Sequence, residues 1–454
     1  MNRLFTFVVF LFLCFLCSSC NSNDDVQNGK SKSSKKDNQK VLKEKTDDDI
    51  YESIRGEKIT VVLPQSEVDF SSFYEKKTRL FEELSGVEVN FINLNRIGCD
   101  SLIFKSLEAQ DSAYDVIEFD HVWTKKFLEN DWVEPLDAYV SQSMLEGMVP
   151  GLLDMFSKDG SLYGITWNND IRFFMYNRRI LESVGVNTPP LTWEDISALD
   201  EALRGNGILI NSMMDSFNRS RSGLVELFYM VRSFGGRFFD DDGTPVMGEN
   251  LKTLAAYSFI KDGFATGMID KNSLIMDYES VSNVFCMGES AFMTQAWSGI
   301  YALANDSSLS SVNGDIVVSL EAPHAADEAS FTLNLLEAMA IPKTSKHKKA
   351  AWAYIEFMTS KKTDKEKSMR LGSLPVWTNL YSDDSLLRIY PYWSDFARQV
   401  SIAITLPSVF ADIELAKIIV NESARIFQDE VSLSNGLREM QKLCEKHLKN
   451  IKRK

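Results

Sequence analysis

The sequence predicts an α/β protein, and three observations carry that prediction. From residue 57 onward short apolar runs of strand length alternate with stretches of helical periodicity. Glycine caps and turn residues bound those runs. The 454 residues suffice for two or three domains of about 100 to 200 residues each. With 44% hydrophobic and 25% charged residues, 23 Gly and 11 Pro, the composition excludes collagen-like and low-complexity chains. The 49 basic and 64 acidic side chains leave a formal net charge of -15. That excess argues against a basic face for phosphates, so nucleic acid is not an expected partner.

The N-terminus differs from the rest. After Arg3, residues 4–17 are apolar except for Thr6, and Ser18, Ser19 and Cys20 follow. A membrane span needs about twenty apolar residues, so residues 1–19 read as a secretory signal. The Cys17-Ser18-Ser19-Cys20 ending resembles a bacterial lipobox, with Cys17 where leucine is usual. Cys20 would then carry lipid and anchor the exported chain to a membrane; the competing reading is a plain signal peptide. Residues 20–56 are expected to be a disordered tether. Residues 21–50 hold seven lysines, seven acids and only Val26, Val41, Leu42 and Ile50 as aliphatics, too little to offset the ordering entropy. Cys99, Cys286 and Cys444 are scattered and read as buried free thiols.

In the body, Lys58-Ile59-Thr60-Val61-Val62-Leu63 reads as a buried strand. A helix over Phe73, Leu80, Phe81 and Leu84 is capped by Gly86, and Val87, Val89 and Phe91 alternate as the next strand. Residues 102–107 suit a helix and residues 114–119 another strand ending at Asp120. Parallel strands joined by helices follow. Ligands of open α/β sheets lie beyond the carboxyl ends of the strands, which marks residues 64–69 and 120–123. A second unit opens near residue 168 with the strand Phe173-Phe174-Met175-Tyr176. Thr192 and Asp195 form a capping box after Pro189-Pro190, Asp240-Asp241-Asp242-Gly243 makes a turn, and Ala351, Tyr354, Ile355 and Met358 share a helix face.

Four stretches, in this order and spacing, carry a family resemblance: Tyr114-Asp115-Val116-Ile117 with Trp132-Val133-Glu134-Pro135-Leu136-Asp137; Leu162-Tyr163-Gly164-Ile165 with Tyr176-Asn177-Arg178-Arg179-Ile180-Leu181; Pro189-Pro190-Leu191-Thr192-Trp193; and Gly288-Glu289-Ser290-Ala291-Phe292-Met293. Over residues 57–450 the chain resembles the bacterial extracellular solute-binding proteins of family 1, the sugar-binding lipoproteins of ATP-binding cassette importers. The resemblance implies a two-lobed periplasmic-binding-protein-like (type II) fold with discontinuous lobes, 57–167 plus 338–372 and 168–337 plus 373–454. They would close on ligand about a hinge. One departure stands out: Leu335-Leu336-Glu337 occupies the place where the family often has Gly-Gly-Trp, a stacking platform.

Sugar recognition needs aromatic faces and planar polar groups. Trp167-Asn168-Asn169-Asp170 lies at the expected crossover, and by the resemblance Asp170 and Trp297 occupy positions that commonly meet ligand. Their competing readings are a capping aspartate and a packing tryptophan. Trp167, Asn169, Asp120, Trp123, Glu67, Asp69 and Phe410 complete the ligand-binding candidates. Phe410 competes with a core reading on a helix patterned by Val409, Ile413, Ala416 and Val420, while Trp132, Trp193 and Trp352 are assigned to packing.

Catalytic signatures are poor. Gly288-Glu289-Ser290-Ala291-Phe292 lacks the second glycine of a nucleophile elbow, Ser345-Lys346-His347-Lys348 stands without companion motifs, and Gly205-Asn206-Gly207 has no third glycine. The four histidines form no metal-ligand spacing, so neither metal nor cofactor is expected. The sequence therefore points to a monomeric, non-enzymatic lipoprotein that captures a small solute, most readily a mono- or oligosaccharide, for the permease subunits of an importer. Two alternatives remain at this level: an exported glycan hydrolase, or a sensory or surface lipoprotein on the same fold.

Overall fold

The computed structural model describes residues 47–65, 72–94 and 96–451. Cys20, the signal segment, most of the tether, Glu67 and Asp69 lie outside the described residues. Helix α1 (Asp47–Ile54) falls inside the segment expected to be tether and corrects it. Ile54 is buried, and Tyr51 meets Phe81 edge-on with 6.0 Å between centroids. Ile50, Tyr51 and Ile54 form a short apolar stripe that the polar average of the segment concealed.

Strand β1 (Lys58–Pro64) pairs parallel with β2 (Glu88–Leu94) and with β3 (Val116–Asp120). Helices α2 (Phe73–Ser85) and α3 (Arg96–Ala109) form the crossovers. Gly86 ends α2 at φ 71°, a left-handed position where a Cβ is penalised. The buried face of α2 is Phe73, Tyr74, Lys77, Thr78, Phe81 and Ser85, rotated from the expected one, so that Leu84 is exposed. After β4 (Ile165–Asn168) the chain crosses to β5 (Arg172–Asn177). Helix α4 (Trp193–Gly205) starts on the predicted Thr192/Asp195 capping box, and α5 (Arg221–Ser233) and α6 (Tyr278–Cys286) follow. Strands β6 (Phe292–Trp297) and β7 (Ile316–Ser319) flank β5 antiparallel in a second sheet.

The chain then returns as β8 (Glu337–Ala340), antiparallel between β3 and β4, giving a mixed sheet of order β2-β1-β3-β8-β4. Within this sheet parallel pairing thus holds among β1 to β3, and β8 is antiparallel; a four-residue strand fully buried on both faces carries no alternation to reveal it. Helix α7 (Lys348–Thr359) buries Ala351, Tyr354, Ile355 and Met358 as expected, and α8 (Lys361–Leu371) ends at Gly372. Helix α9 (Ile413–Phe427) packs on α5 and buries Leu415, Ile419 and Val420, whereas Ile413 faces outward.

These elements make two α/β lobes joined by three neighbouring crossing segments, 169–171, 334–336 and 373–375. Bridges link Asn169 to Leu374 and Ile171 to Asn334, and the Leu335 N–H donates to the Asp170 carbonyl at 2.9 Å. Asn169 is a hinge residue rather than part of a cleft wall. Its side-chain amide donates to the Pro375 carbonyl at 3.2 Å and to the Tyr381 hydroxyl at 3.0 Å, strapping the first crossing to the third. Trp132, Trp193 and Trp352 are core residues, and Cys99, Cys286 and Cys444 are buried and form no disulfide among the described residues.

Candidate functional site

A cleft of about 500 Å³ lies at the crossings, within the range of about 300 to 1,000 Å³ usual for small-molecule sites. One lobe contributes Tyr74, Glu118, Trp167 and Asn168; the other contributes Arg172, Glu226, Gln295 and Trp297. Asp170, Leu335, Glu337 and Ser373 come from or adjoin the crossing segments. Closure of the lobes would therefore move one wall against the other while leaving the floor nearly fixed.

The two tryptophans face this space from different sheets. Trp167 leans on the Tyr74 ring, with 5.0 Å between centroids, and the Lys367 ammonium lies 5.6 Å from its own ring. Trp297 ends β6; its backbone N–H donates to the Tyr278 hydroxyl at 3.0 Å, and its indole rests where a side chain on Gly299 would otherwise project. The indole Nε1 atoms of both tryptophans and the Gln295 Oε1 are buried without a hydrogen-bond partner among the described residues. Groups left in this state ordinarily belong to a surface that something else completes.

Arg172 organises the polar side. It donates to Asp170 at 2.6 Å and to the Gln295 carbonyl at 3.1 Å, and its guanidinium lies 4.8 Å from the centre of the Tyr278 ring. Asn168 donates to Glu337 at 2.7 Å, so the residue standing where the sequence lacks a tryptophan platform supplies a carboxylate instead.

Behind this wall Thr294 joins two buried acids. Its N–H donates to Asp215 at 3.2 Å and its hydroxyl to Glu226 at 2.7 Å. Burial pushes the Asp215 carboxyl up to about 7, and burial together with Asp215 raises Glu226 well above the usual range. The folded state thus keeps protons that the unfolded chain releases near pH 4. Stability from this pair is greatest below that pH and falls as pH rises toward 7, by at most about 1.4 kcal/mol per pH unit per proton. Asp215→Asn should flatten that slope in urea unfolding between pH 4.5 and 6.5; an unchanged slope would contradict the assignment.

Of the candidates read from sequence, Trp297, Asp170 and Trp167 line the cleft. Others do not. Asp120 is fully buried outside the wall, with Val122 N–H on one oxygen at 3.0 Å. Trp123 packs edge-on against Phe104 at 4.6 Å and parallel to Phe127, because its short helical turn aims the ring into the sheet's core. Phe410 meets Phe228, Phe238 and Phe239 edge-on, well inside its lobe. Sequence reasoning missed Arg172, Glu226, Tyr278, Gln295 and Glu337. One signal was present: Glu226 interrupts Leu224-Val225-Glu226-Leu227-Phe228, and a lone acid in an apolar run needs a local reason.

Two α/β lobes, a hinge of three crossings and a polar, aromatic-walled cleft between them define a solute-binding protein. The chain belongs to the bacterial extracellular solute-binding protein family, whose model matches residues 64–365. A probable ABC transporter-binding protein of Deinococcus radiodurans is 23% identical over 314 residues, 68% of this chain and 73% of that protein. The maltotriose-binding protein of Pyrococcus abyssi is 20% identical over 303 residues, 64% of this chain and 61% of that one. Among solved structures, maltose-bound MalE3 of T. maritima matches with a TM-score of 0.78 at 20% identity, covering 86% of this chain and 99% of its own. An Agrobacterium radiobacter solute-binding protein in complex with ribitol also matches at 0.78, with 18% identity over 87% and 99% of the two chains. At such identities the structural likeness establishes the fold. Among the described residues no helix is long and apolar enough to cross a membrane.

Proposed function

We propose that this protein captures a mono- or oligosaccharide in the cleft and delivers it, unchanged, to the permease subunits of an ATP-binding cassette importer. The observation that carries the reading is the pair of indoles, Trp167 and Trp297, presented from opposite lobes beside Asp170, Arg172 and Glu337. Indole faces suit the C–H faces of sugar rings, and the fixed charged groups suit hydroxyls. The maltose, ribitol and maltotriose named for the relatives point the same way. Lobe one comprises 57–168 and 337–372, and lobe two 169–336 and 373–454, one residue from the bounds read in the sequence, so that β4 and β8 stay whole. Cys20, lipidated after removal of residues 1–19, tethers the exported protein to a membrane. Cys20→Ser should release it from the membrane fraction.

Binding stabilises the native state by an amount that grows with ligand concentration, about 2.7 kcal/mol at one hundred times the dissociation constant. A thermal-shift screen of maltose, maltotriose, mannitol, ribitol and tagatose is expected to find at least one sugar or polyol that raises the melting temperature. That ligand should be recovered intact after incubation. Failure of every sugar, or release of cleaved products, would refute the reading.

A further inference from the structure

Asp120 was a ligand candidate by sequence; its position assigns it a different part. It ends β3 in the five-stranded sheet, and its second carboxylate oxygen contacts the Arg221 guanidinium. Arg221 opens α5, which belongs to the other lobe. Along that helix Glu226 accepts from Thr294 of β6, and Tyr229 donates to the Pro323 carbonyl at 2.6 Å. The ion pair therefore spans the two lobes.

Its two ends differ. The Asp120 side chain is 1% exposed and further held by Val122 N–H and by His121, whose Nδ1 lies 3.1 Å away, whereas Arg221 is 28% exposed and lines the cleft. Burial, the main influence on His121, holds its imidazole below the usual range, and its Nδ1 is hydrogen-bonded to the Leu336 carbonyl at 3.3 Å, so the ring brings no second positive charge to Asp120. Locally, Arg221 is poorly placed. It occupies the first position of a thirteen-residue helix with no acid in its first turn, where the helix dipole disfavours a cation. A residue that breaks a local rule is held there by tertiary structure, and Asp120 is a buried partner that helps to hold it. The base is also fixed: Ser220 caps α5 through the Ser222 N–H and bonds to Asn218.

We propose that Asp120 and Arg221 form a latch across the cleft, an ion pair that favours the closed arrangement of the lobes and places Arg221 as a positioning residue between the hinge and the ligand. The latch rests on the hinged-cleft reading but not on the identity of the ligand. Because the carboxylate is already desolvated, removing its partner costs more than breaking an exposed pair, while the exposed side of Arg221 moderates the effect.

Small-angle X-ray scattering of the ligand-free protein tests it. Asp120→Asn, which keeps the Val122 bond, and Arg221→Gln should each shift the open-to-closed ratio by roughly tenfold toward open and raise the radius of gyration. The double variant should open no further than either single one, and Arg221→Lys should restore part of the compaction. Circular dichroism and urea unfolding identify any variant that fails to fold, in which case the remaining one decides. Scattering curves identical to wild type in both folded variants, or strictly additive effects, would overturn the latch. Neither result bears on the sugar screen, and failure of every sugar there leaves the scattering result standing.

Discussion

Trp297→Ala is expected to lose stability and affinity together. The indole is 7% exposed, so its removal should destabilise the ligand-free protein by about 3 to 5 kcal/mol, the usual cost of truncating a buried large aromatic. The same ring lines the cleft, so the loss of stacking should weaken sugar binding by about 1 kcal/mol or more, roughly fivefold at least. Packing and contact with ligand looked like competing roles in the sequence. The structure makes them compatible, because the benzo edge of the ring is seated over Gly299 while the residue lines the cleft. Urea unfolding of the apo protein and calorimetry with the sugar found by the screen measure the two losses separately. Unchanged affinity would remove Trp297 from the site; unchanged apo stability would contradict its burial. Trp297→Phe should recover part of both.

The second large effect is expected at Lys367→Met. Lys367 lies on α8, with its side chain 5% exposed and its ammonium 3.3 Å from Asp364, itself 1% exposed. The same ammonium contacts the Trp167 carbonyl, and Asp364 accepts the Val376 N–H at 2.8 Å. The pair thus ties α8 to the segment just after the third crossing and sets the backbone beneath a cleft tryptophan. Methionine matches the volume but leaves a buried carboxylate without its counter-charge, at a cost of about 3 to 5 kcal/mol. Burial already raises the Asp364 carboxyl, and Lys367 is the largest influence opposing it. In the variant the folded-state pKa should rise further. The deficit is then smallest below about pH 4, where the carboxyl is protonated folded or unfolded, and grows as pH rises through the folded-state value. Urea unfolding at pH 4 and pH 8 should show this difference, and adding Asp364→Asn should remove most of it. A cost that does not depend on pH would show that the pair contributes packing alone.

Much of this protein was legible in its sequence. The first β-α-β unit, the Gly86 cap, the Thr192 capping box and the buried face of α7 follow from local rules, because each depends on residues a few positions apart. The family motifs pointed to two lobes and a cleft, and of the ligand candidates Trp297, Asp170 and Trp167 line it. What only the tertiary structure decided involves residues brought together over long sequence separations. The insertion of β8 between β3 and β4 sets the strand residues beside the second and first crossings against each other, so Glu337 reaches Asn168. Asn169 became a hinge strap, Trp123 and Phe410 became core, and Asp120 found Arg221 across the cleft. The physical reason is that periodicity reports which face of an element is apolar, whereas the partner a buried polar group finds depends on the docking of whole elements. That docking placed Arg172 between Asp170, Gln295 and Tyr278, an arrangement no local pattern contains.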